Sequence, residues 1–396
     1  MQAREIKPNI YWVGAVDWDR RFFEELTPLP DGTSYNSYLI KGSEKTVLID
    51  TVDPTMKEVL LERLDDCGVK HIDYVITNHA EQDHSGTLPA VLQKYPSAKV
   101  ICTSKCKTML KDLLRFPEDR VITVEDSETL SLGNKSLEFI RAPWVHWPET
   151  MLTYLKEDKI LFSCDLFGSH LATSSTYVSD EERVFEPAKR YYAEIMMPFR
   201  ANIEKHLERL KEYQIKLIAP SHGPMYERPE FILSAYHSWI FDPPENIVVL
   251  PYVSMHGSTR ETVRYFVESL TQKGVTVKQF NLSSVDIGKL AIALVDAATL
   301  VIGTPTVLVG PHPLAAYAAI LANVLRPKTK FASIIGSYGW GSQAKEQLIN
   351  MIPNLKVELL ESVIIKGMPK DDDFKALDNL AATIAKRHQE LSKTSF

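Results

Sequence analysis

Asn78-His79-Ala80-Glu81-Gln82-Asp83-His84-Ser85-Gly86 places two histidines and two carboxylates within the six positions from His79 to His84. The run before it, Tyr74-Val75-Ile76-Thr77, reads as a short buried strand, and Ser85-Gly86 reads as the opening of a helix. Charged and imidazole side chains crowded into a strand-to-helix turn repel one another and lose solvation unless something neutralises them. A metal ion does that best. The plainer reading is a polar loop whose side chains cap the helix.

The flanking segments supply matching chemistry. Tyr38-Leu39-Ile40 and Thr46 to Asp50 form a candidate hairpin around Gly42-Ser43, and Met56 to Leu64 has helical periodicity. Lys99 to Cys102 reads as a strand and Cys106 to Leu114 as a helix. Leu137 to Ile140 and Met151 to Leu155 look like a strand pair, with a further strand over Ile160 to Ser163. Asn202 to Tyr213 reads as a helix and Lys216 to Ala219 as a strand. Three potential ligands fall beside these strands: His146 in Pro143-Trp144-Val145-His146-Trp147-Pro148, Asp165 after Ser163, and His222 in Pro220-Ser221-His222-Gly223-Pro224. Each sits where a strand hands over to a loop, the usual place for a site built on a rigid scaffold. Taken singly, His146 and His222 read as structural histidines. With the opening stretch they make four imidazoles, three carboxylates and no thiolate. Such mixed nitrogen and oxygen sites suit non-haem iron or manganese, and zinc binds them too.

The order His79-x-Glu81-x-Asp83-His84, then His146, Asp165 and His222, resembles the metallo-β-lactamase fold, an αββα sandwich with a two-metal site at one sheet edge. Most hydrolases of that superfamily carry His-x-His-x-Asp-His. Glu81 stands here in place of the second histidine, and with the later spacings that substitution resembles the flavodiiron proteins. The resemblance implies one iron on His79, Glu81 and His146, another on Asp83, His84 and His222, and Asp165 bridging the two. It also implies that His170 and Tyr192 lie around the site and supply hydrogen bonds or protons. Asp50, at a strand end, reads as structural.

Phe241-Asp242-Pro243-Pro244-Glu245-Asn246 is a proline-containing break. It predicts two domains, 1–245 and 246–396. Beyond it, apolar strands alternate with helices: Ile247 to Val253, Val275 to Phe280, Thr299 to Gly303, Phe331 to Gly336 and Val357 to Val363. Val263, Phe266, Val267 and Leu270 mark a helix; others are read over Gln343 to Ile352 and Phe374 to Leu391. The fold class expected is therefore α/β: an N-terminal metallo-β-lactamase-like αββα sandwich, then a doubly wound, five-stranded parallel sheet.

Ligands of such sheets bind at strand carboxyl ends. Ser254-Met255-His256-Gly257-Ser258-Thr259 presents N–H and O–H groups suited to a phosphate. It has neither the lysine-bearing loop of a triphosphate site nor Gly-x-Gly-x-x-Gly, so a monophosphate fits better. Pro305-Thr306-Val307 and Ser337-Tyr338-Gly339-Trp340-Gly341 end the next strands, and the aromatics suit a flat ring. Together the three loops resemble the FMN loops of flavodoxin. His256 and Val307 depart from that family, which often carries another aromatic and a polar residue there.

The chain has 396 residues, 44% hydrophobic and 24% charged, with a net charge of −6. It has no basic run, so nucleic acid is an unexpected partner. The region Leu290 to Leu325 is broken by prolines and Asp296, which argues against a membrane span, and no apolar leader opens the chain. Cys67, Cys102, Cys106 and Cys164 form no Cys-x-x-Cys pair and read as reduced thiols of a cytoplasmic protein. A hydrolase has no use for an attached flavin, whereas a two-metal site that cycles electrons does. Two iron(II) ions and FMNH2 together hold the four electrons that take O2 to two waters, and two electrons couple two NO to N2O. The resemblance thus implies an O2 and/or NO reductase working as a head-to-tail homodimer or dimer of dimers. No cysteine follows Cys164, so a fused rubredoxin is not expected. The donor would be separate, a rubredoxin or a reduced deazaflavin. The alternative is a binuclear zinc hydrolase with a flavodoxin-like appendage.

Overall fold

Val75 and Ile76 are fully buried because their strand, Tyr74–Ile76, pairs in parallel with both Thr46–Ile49 and Lys99–Cys102. The sheet around it runs Arg4–Lys7, Ile10–Trp12, Tyr38–Lys41, Thr46–Ile49, Tyr74–Ile76, Lys99–Cys102, Val121–Thr123. A second sheet runs Thr129–Ser131, Ser136–Arg141, Met151–Leu155, Ile160–Cys164, Leu217–Pro220. Ile40, Val47, Ile49 and Ile76 of the first meet Leu137, Phe139, Leu155 and Phe162 of the second in one apolar layer. Leu60, Leu64, Val91 and Leu110 cover the first sheet's other face from the helices Lys57–Asp66, Leu88–Lys94 and Ser104–Leu114. The helix Arg200–Leu210 buries Ile203, Leu207 and Leu210, and its Arg209 bonds the Arg141 carbonyl of the second sheet at 3.4 Å. This is the αββα sandwich.

The computed structural model describes residues 1–114 and 117–394. The chain divides into two units, one of Met1–Tyr192 and Phe199–Ile240, the other of Ala193–Pro198 and Phe241 onward. In the second unit Thr276–Asn281, Glu245–Tyr252, Ala297–Val307, Phe331–Tyr338 and Glu358–Leu359 pair in parallel in that order. Separate apolar layers, one around Leu290 and Leu348 and one around Phe266 and Leu377, cover its two faces. The edge strand expected over Val357 to Val363 is split. Leu360 bonds the Ala332 carbonyl, the Glu361 carbonyl turns to accept from Ser333 Oγ at 2.7 Å, and pairing resumes at Val363–Lys366.

The helix expected from Ser85 is also divided. A single turn, Gln82–Ser85, closes with Gly86 N–H on the Gln82 carbonyl at 2.7 Å, and Leu88–Lys94 starts afresh. Pro89, in the first turn of the second helix, has no N–H to continue the first. Asp83 and His84 therefore ride on a helical turn.

Asp50 anchors the strand end that launches this turn. Its Oδ1 accepts from Asn78 N–H at 2.8 Å and its Oδ2 from Asn78 Nδ2 at 2.9 Å. Asn78 Oδ1 accepts from Thr153 Oγ1 at 2.7 Å, tying the two sheets together. Asp50→Ala would strand two buried donors and is expected to lower stability by about 2–5 kcal/mol in urea denaturation. A change confined to solvent-level effects, below about 0.5 kcal/mol, would remove Asp50 from this role.

Candidate metal centre

All seven candidate ligands meet at one edge of the sandwich. One potential ligand atom from each of His79, Glu81, His146 and Asp165 lies within 4.8 Å of the others, and Asp83, His84 and His222 form a second such group. Asp165 faces both. Its Oδ2 lies 3.3 Å from His146 Nε2 and 3.6 Å from His79 Nε2, while its Oδ1 lies 3.0 Å from His84 Nε2 and 3.5 Å from His222 Nε2. Glu81 Oε2 is 2.9 Å from His79 Nε2 and 3.1 Å from His146 Nε2, and Asp83 Oδ2 is 3.3 Å from His222 Nε2.

The backbone reaches this convergence by tight turns. Cys164 has φ +52°, which turns the chain at the end of its strand so that Asp165 points inward. Ser221 N–H bonds the Cys164 carbonyl at 2.8 Å and holds the two ligand-bearing loops together. Gly223 has φ +80°, and a Cβ there would overlap Ser169 Oγ, so glycine is required. Asn36 Nδ2 donates to the carbonyls of Pro220 and Gly223 at 2.8 and 2.7 Å, and His222 Nδ1 donates to the Ser34 carbonyl at 2.7 Å. That last bond leaves His222 Nε2 as a lone pair facing the centre.

In the second unit the three candidate loops touch at the carboxyl ends of adjacent strands. Thr259 Oγ1 is 2.9 Å from Ser337 Oγ, and Thr306 Oγ1 is 2.8 Å from Ser342 Oγ. Ser254 Oγ accepts from Arg260 N–H at 3.2 Å, and Gly257, with φ +98°, turns the chain into the helix Ser258–Gln272. Met255 and Trp340 are exposed, and Gly339 and Gly341 face open space. A hairpin not foreseen in the sequence pairs Val307 with Gly310 through Leu308 and Val309.

A family described as ODP family beta lactamase matches residues 33–223. A nitric oxide reductase of Moorella thermoacetica is 35% identical over 98% of this chain and 99% of that protein. A coenzyme F420H2 oxidase of Methanothermobacter marburgensis is 32% identical over 96% and 98%. The solved rubredoxin oxygen:oxidoreductase of Desulfovibrio gigas superposes with a TM-score of 0.94 at 30% identity, over 98% of this chain and 99% of that one. The flavodiiron protein of Giardia intestinalis gives 0.92 at 30%, over 100% and 98%. This chain is a flavodiiron protein. It is an oxidoreductase, and the family's cofactors are a flavin and a pair of iron ions.

The residues of this flavodiiron chain fit a pair of metal ions. Asp83 Oδ1 and Oδ2, both nitrogens of His84 and Asp165 Oδ1 are buried without a hydrogen-bond partner. His84 Nε2 is within ion-pair distance of Asp165 but out of line for N–H donation. Buried polar atoms in that state are costly unless an ion meets them. Burial disfavours charged imidazoles here, yet hydrogen bonds donated to Glu149 and Glu81 hold His79 up at about 10. Asp83 and Asp165 hold His84 at about 10, and Asp165 and Glu81 do the same for His146. Against the same burial, those histidines keep the Glu81 and Asp165 carboxyls below their usual range.

Three neighbours escaped the sequence reading. Glu149, fully buried, accepts from His79 Nδ1 at 2.8 Å and from Ala80 N–H at 3.0 Å, which sets the His79 tautomer with Nε2 toward the centre. Burial, and after it the nearby Glu81 carboxylate, push the pKa of Glu24 up. Tyr191 packs its ring on His170 at 4.8 Å and on His222 at 5.7 Å. The expected Tyr192 is buried too, but its ring packs on Tyr236 and Trp239. His170 is where it was expected, 4.8 Å from the His222 ring, with Nδ1 2.9 Å from Thr33 Oγ1 and Nε2 unpartnered. Burial, and after it the neighbouring His222 ring, push its pKa well down, so it is neutral. No local pattern distinguishes Glu149 or Tyr191 from ordinary core residues; their roles come from tertiary contacts.

Two measurements check this description. Glu149→Gln is expected to weaken metal retention about 10–100-fold in chelator competition, with the fold intact by circular dichroism. In the metal-free protein His79, His84 and His146 stay protonated up to about pH 10. Their pKa values are raised, so the stability they add is full below the ordinary histidine value of about 6.5 and is lost as pH rises through about 10. Metal binding must displace these protons. Apparent metal affinity should therefore rise with pH from neutrality toward 10, and calorimetry in buffers of different ionisation enthalpy should record proton release.

Proposed function

We propose that this chain carries a diiron domain over 1–245 and an FMN domain over 246–396, and reduces O2 to water, NO to N2O, or both. The observation that carries the proposal is the split of Asp165, one oxygen toward each ligand group. A carboxylate placed so can bridge two metals about 3.5–4 Å apart, the spacing of two-metal chemistry. His79, Glu81 and His146 would hold one iron and Asp83, His84 and His222 the other. FMN would lie across Ser254–Thr259, Pro305–Val307 and Ser337–Gly341. The irons would supply the redox-active position at which a diatomic molecule is reduced. Glu81 is a carboxylate where the related hydrolases carry an imidazole, and the harder donor favours iron over zinc.

This chain's own residues do the rest. Glu149 fixes the His79 tautomer, the Ser34 carbonyl fixes that of His222, and neutral His170 leaves Nε2 available for a hydrogen bond at the edge of the site. Phe23 packs on both His170 and His222 and limits water there. Electrons would come from a separate rubredoxin or reduced deazaflavin. We further propose a head-to-tail pairing of two copies, in which the flavin loops of one face the metal centre of the other. Exposed apolar side chains support it: Trp18, Phe22 and Leu26 in the first unit, Met255, Leu308 and Trp340 in the second. Among the described residues no helix is long and apolar enough to cross a membrane, and the four cysteines are free, as expected of a cytoplasmic protein.

Purified protein should contain about two irons and one FMN per chain. Anaerobic reduction followed by separate mixing with O2 and with NO should give multiple turnovers with at least one of them. Protein that holds only zinc and shows no flavin absorbance would end this reading. Gly257→Val, placed at φ +98°, should cost on the order of 1–3 kcal/mol of local strain and release FMN, read by recovery of flavin fluorescence, while the iron content stays unchanged.

A further inference from the structure

The split edge strand of the second unit has a counterpart in its packing. Ladder pairing stops at Leu359 and resumes at Val363, and between them the Glu361 carbonyl turns to Ser333 Oγ at 2.7 Å. A cavity of about 350 Å³ opens there between the sheet and the helix Ala344–Asn350. Ile302, Ala332 and Ile334 of the strands and Leu348 of the helix wall it, and all four are buried. No residue of the three candidate flavin loops lines it. Pro305–Val307 and Ser337–Tyr338 lie at the carboxyl ends of Ala297–Val307 and Phe331–Tyr338, and the cavity sits further back along the same two strands.

Packing alone does not call for such a space, because protein interiors are filled to the density of organic crystals. Its volume falls at the lower end of the range for small-molecule sites. The walls are aliphatic, and the lining also carries charge. Lys345 and Glu361 both border the cavity, and among the described residues neither has an ion-pair partner. Leu359, also in the lining, is 47% exposed. An aliphatic molecule seated there would take Leu359 out of water. A fatty acid would set its carboxylate against Glu361, and an alkylamine its ammonium against Lys345. A head bearing both charges meets each side chain with the opposite sign.

We propose that this cavity binds an α-amino acid with an aliphatic side chain, its carboxylate on Lys345 and its ammonium on Glu361, and that occupancy steadies the flavin loops. Lys345 lies in the first turn of Ala344–Asn350. The start of that helix is tied to those loops. Ala344 N–H donates to Ser342 Oγ at 3.2 Å, Ser342 Oγ is 2.8 Å from Thr306 Oγ1, and Gln343 N–H donates to the Val309 carbonyl at 2.7 Å. A ligand that fixes Lys345 fixes this end of the helix, and so slows the loss of bound FMN. That coupling rests on the FMN assignment made above; the binding does not.

The test is calorimetric titration of the full chain, loaded with iron and FMN, with leucine. Saturable binding is expected. Isocaproate, which lacks the ammonium, and isoamylamine, which lacks the carboxylate, should bind more weakly. Lys345 and Glu361 are exposed, so changing them should leave the fold intact. Lys345→Met should weaken leucine about two- to fivefold and tighten isoamylamine. Glu361→Gln should weaken leucine by a like factor and tighten isocaproate. Saturating leucine should slow flavin release severalfold, followed by recovery of FMN fluorescence on dilution, and Lys345→Met should lose that effect. No saturable leucine binding, isocaproate binding tighter than leucine, or variants that bind all three as the unaltered protein does would overturn the site. Leucine that binds without slowing flavin release would overturn the coupling. Protein that takes up no FMN would overturn the FMN assignment and the coupling with it, while titration of that protein with leucine would still decide the site.

Discussion

A single buried carboxylate stands between two groups of imidazoles, and the first unit is arranged to keep it there. Asp165 is flanked by His79 and His146 on one side and by His84 and His222 on the other. These side chains come from four separate loops, yet each loop is tied to a neighbour: Asn78 to Asp50 and Thr153, Pro143 to His206, Ser221 to Cys164, the Pro220–Gly223 turn to Asn36. The ties are short hydrogen bonds in a site with little water, where they are strong. They offset the repulsion and desolvation that the cluster would otherwise suffer.

Much of this was legible because ligand chemistry is local and sheets are periodic. The crowding from His79 to His84 and the positions of His146, Asp165 and His222 at strand ends were visible as residue types in order. The alternating and continuous apolar runs also located most strands of both units. Less visible were features that depend on where distant segments meet. The helix at Ser85 was read as one because apolar spacing does not register the Gly86 closure and the Pro89 restart. The edge strand at Val357 was read as continuous because Leu360 is apolar and buried, although its neighbours turn away from the ladder.

The same limit separates Tyr191 from Tyr192. Adjacent residues of a helical stretch point about a third of a turn apart, so one faces His222 and the other the Tyr236 and Trp239 rings. Choosing between them needs the helix rotation, which a single sequence does not fix. Glu149 is subject to a like ambiguity. Its importance lies in one bond to His79 Nδ1, made across some seventy residues, and nothing in Pro148-Glu149-Thr150 announces it.

Sharing Asp165 also has a consequence for how the centre would fill. The first ion to arrive would displace protons from its imidazoles and would hold the common carboxylate Asp165 in place. The second ion would then meet a ligand already oriented and a proton load already reduced, and it would bind more tightly than alone wherever that gain exceeds the repulsion between the two ions. Such coupling is reciprocal. Chains with one ion would be scarce at every intermediate metal supply, and a half-loaded preparation would be a mixture of empty and full centres. Iron starvation would accordingly lower the number of working molecules rather than the capability of each.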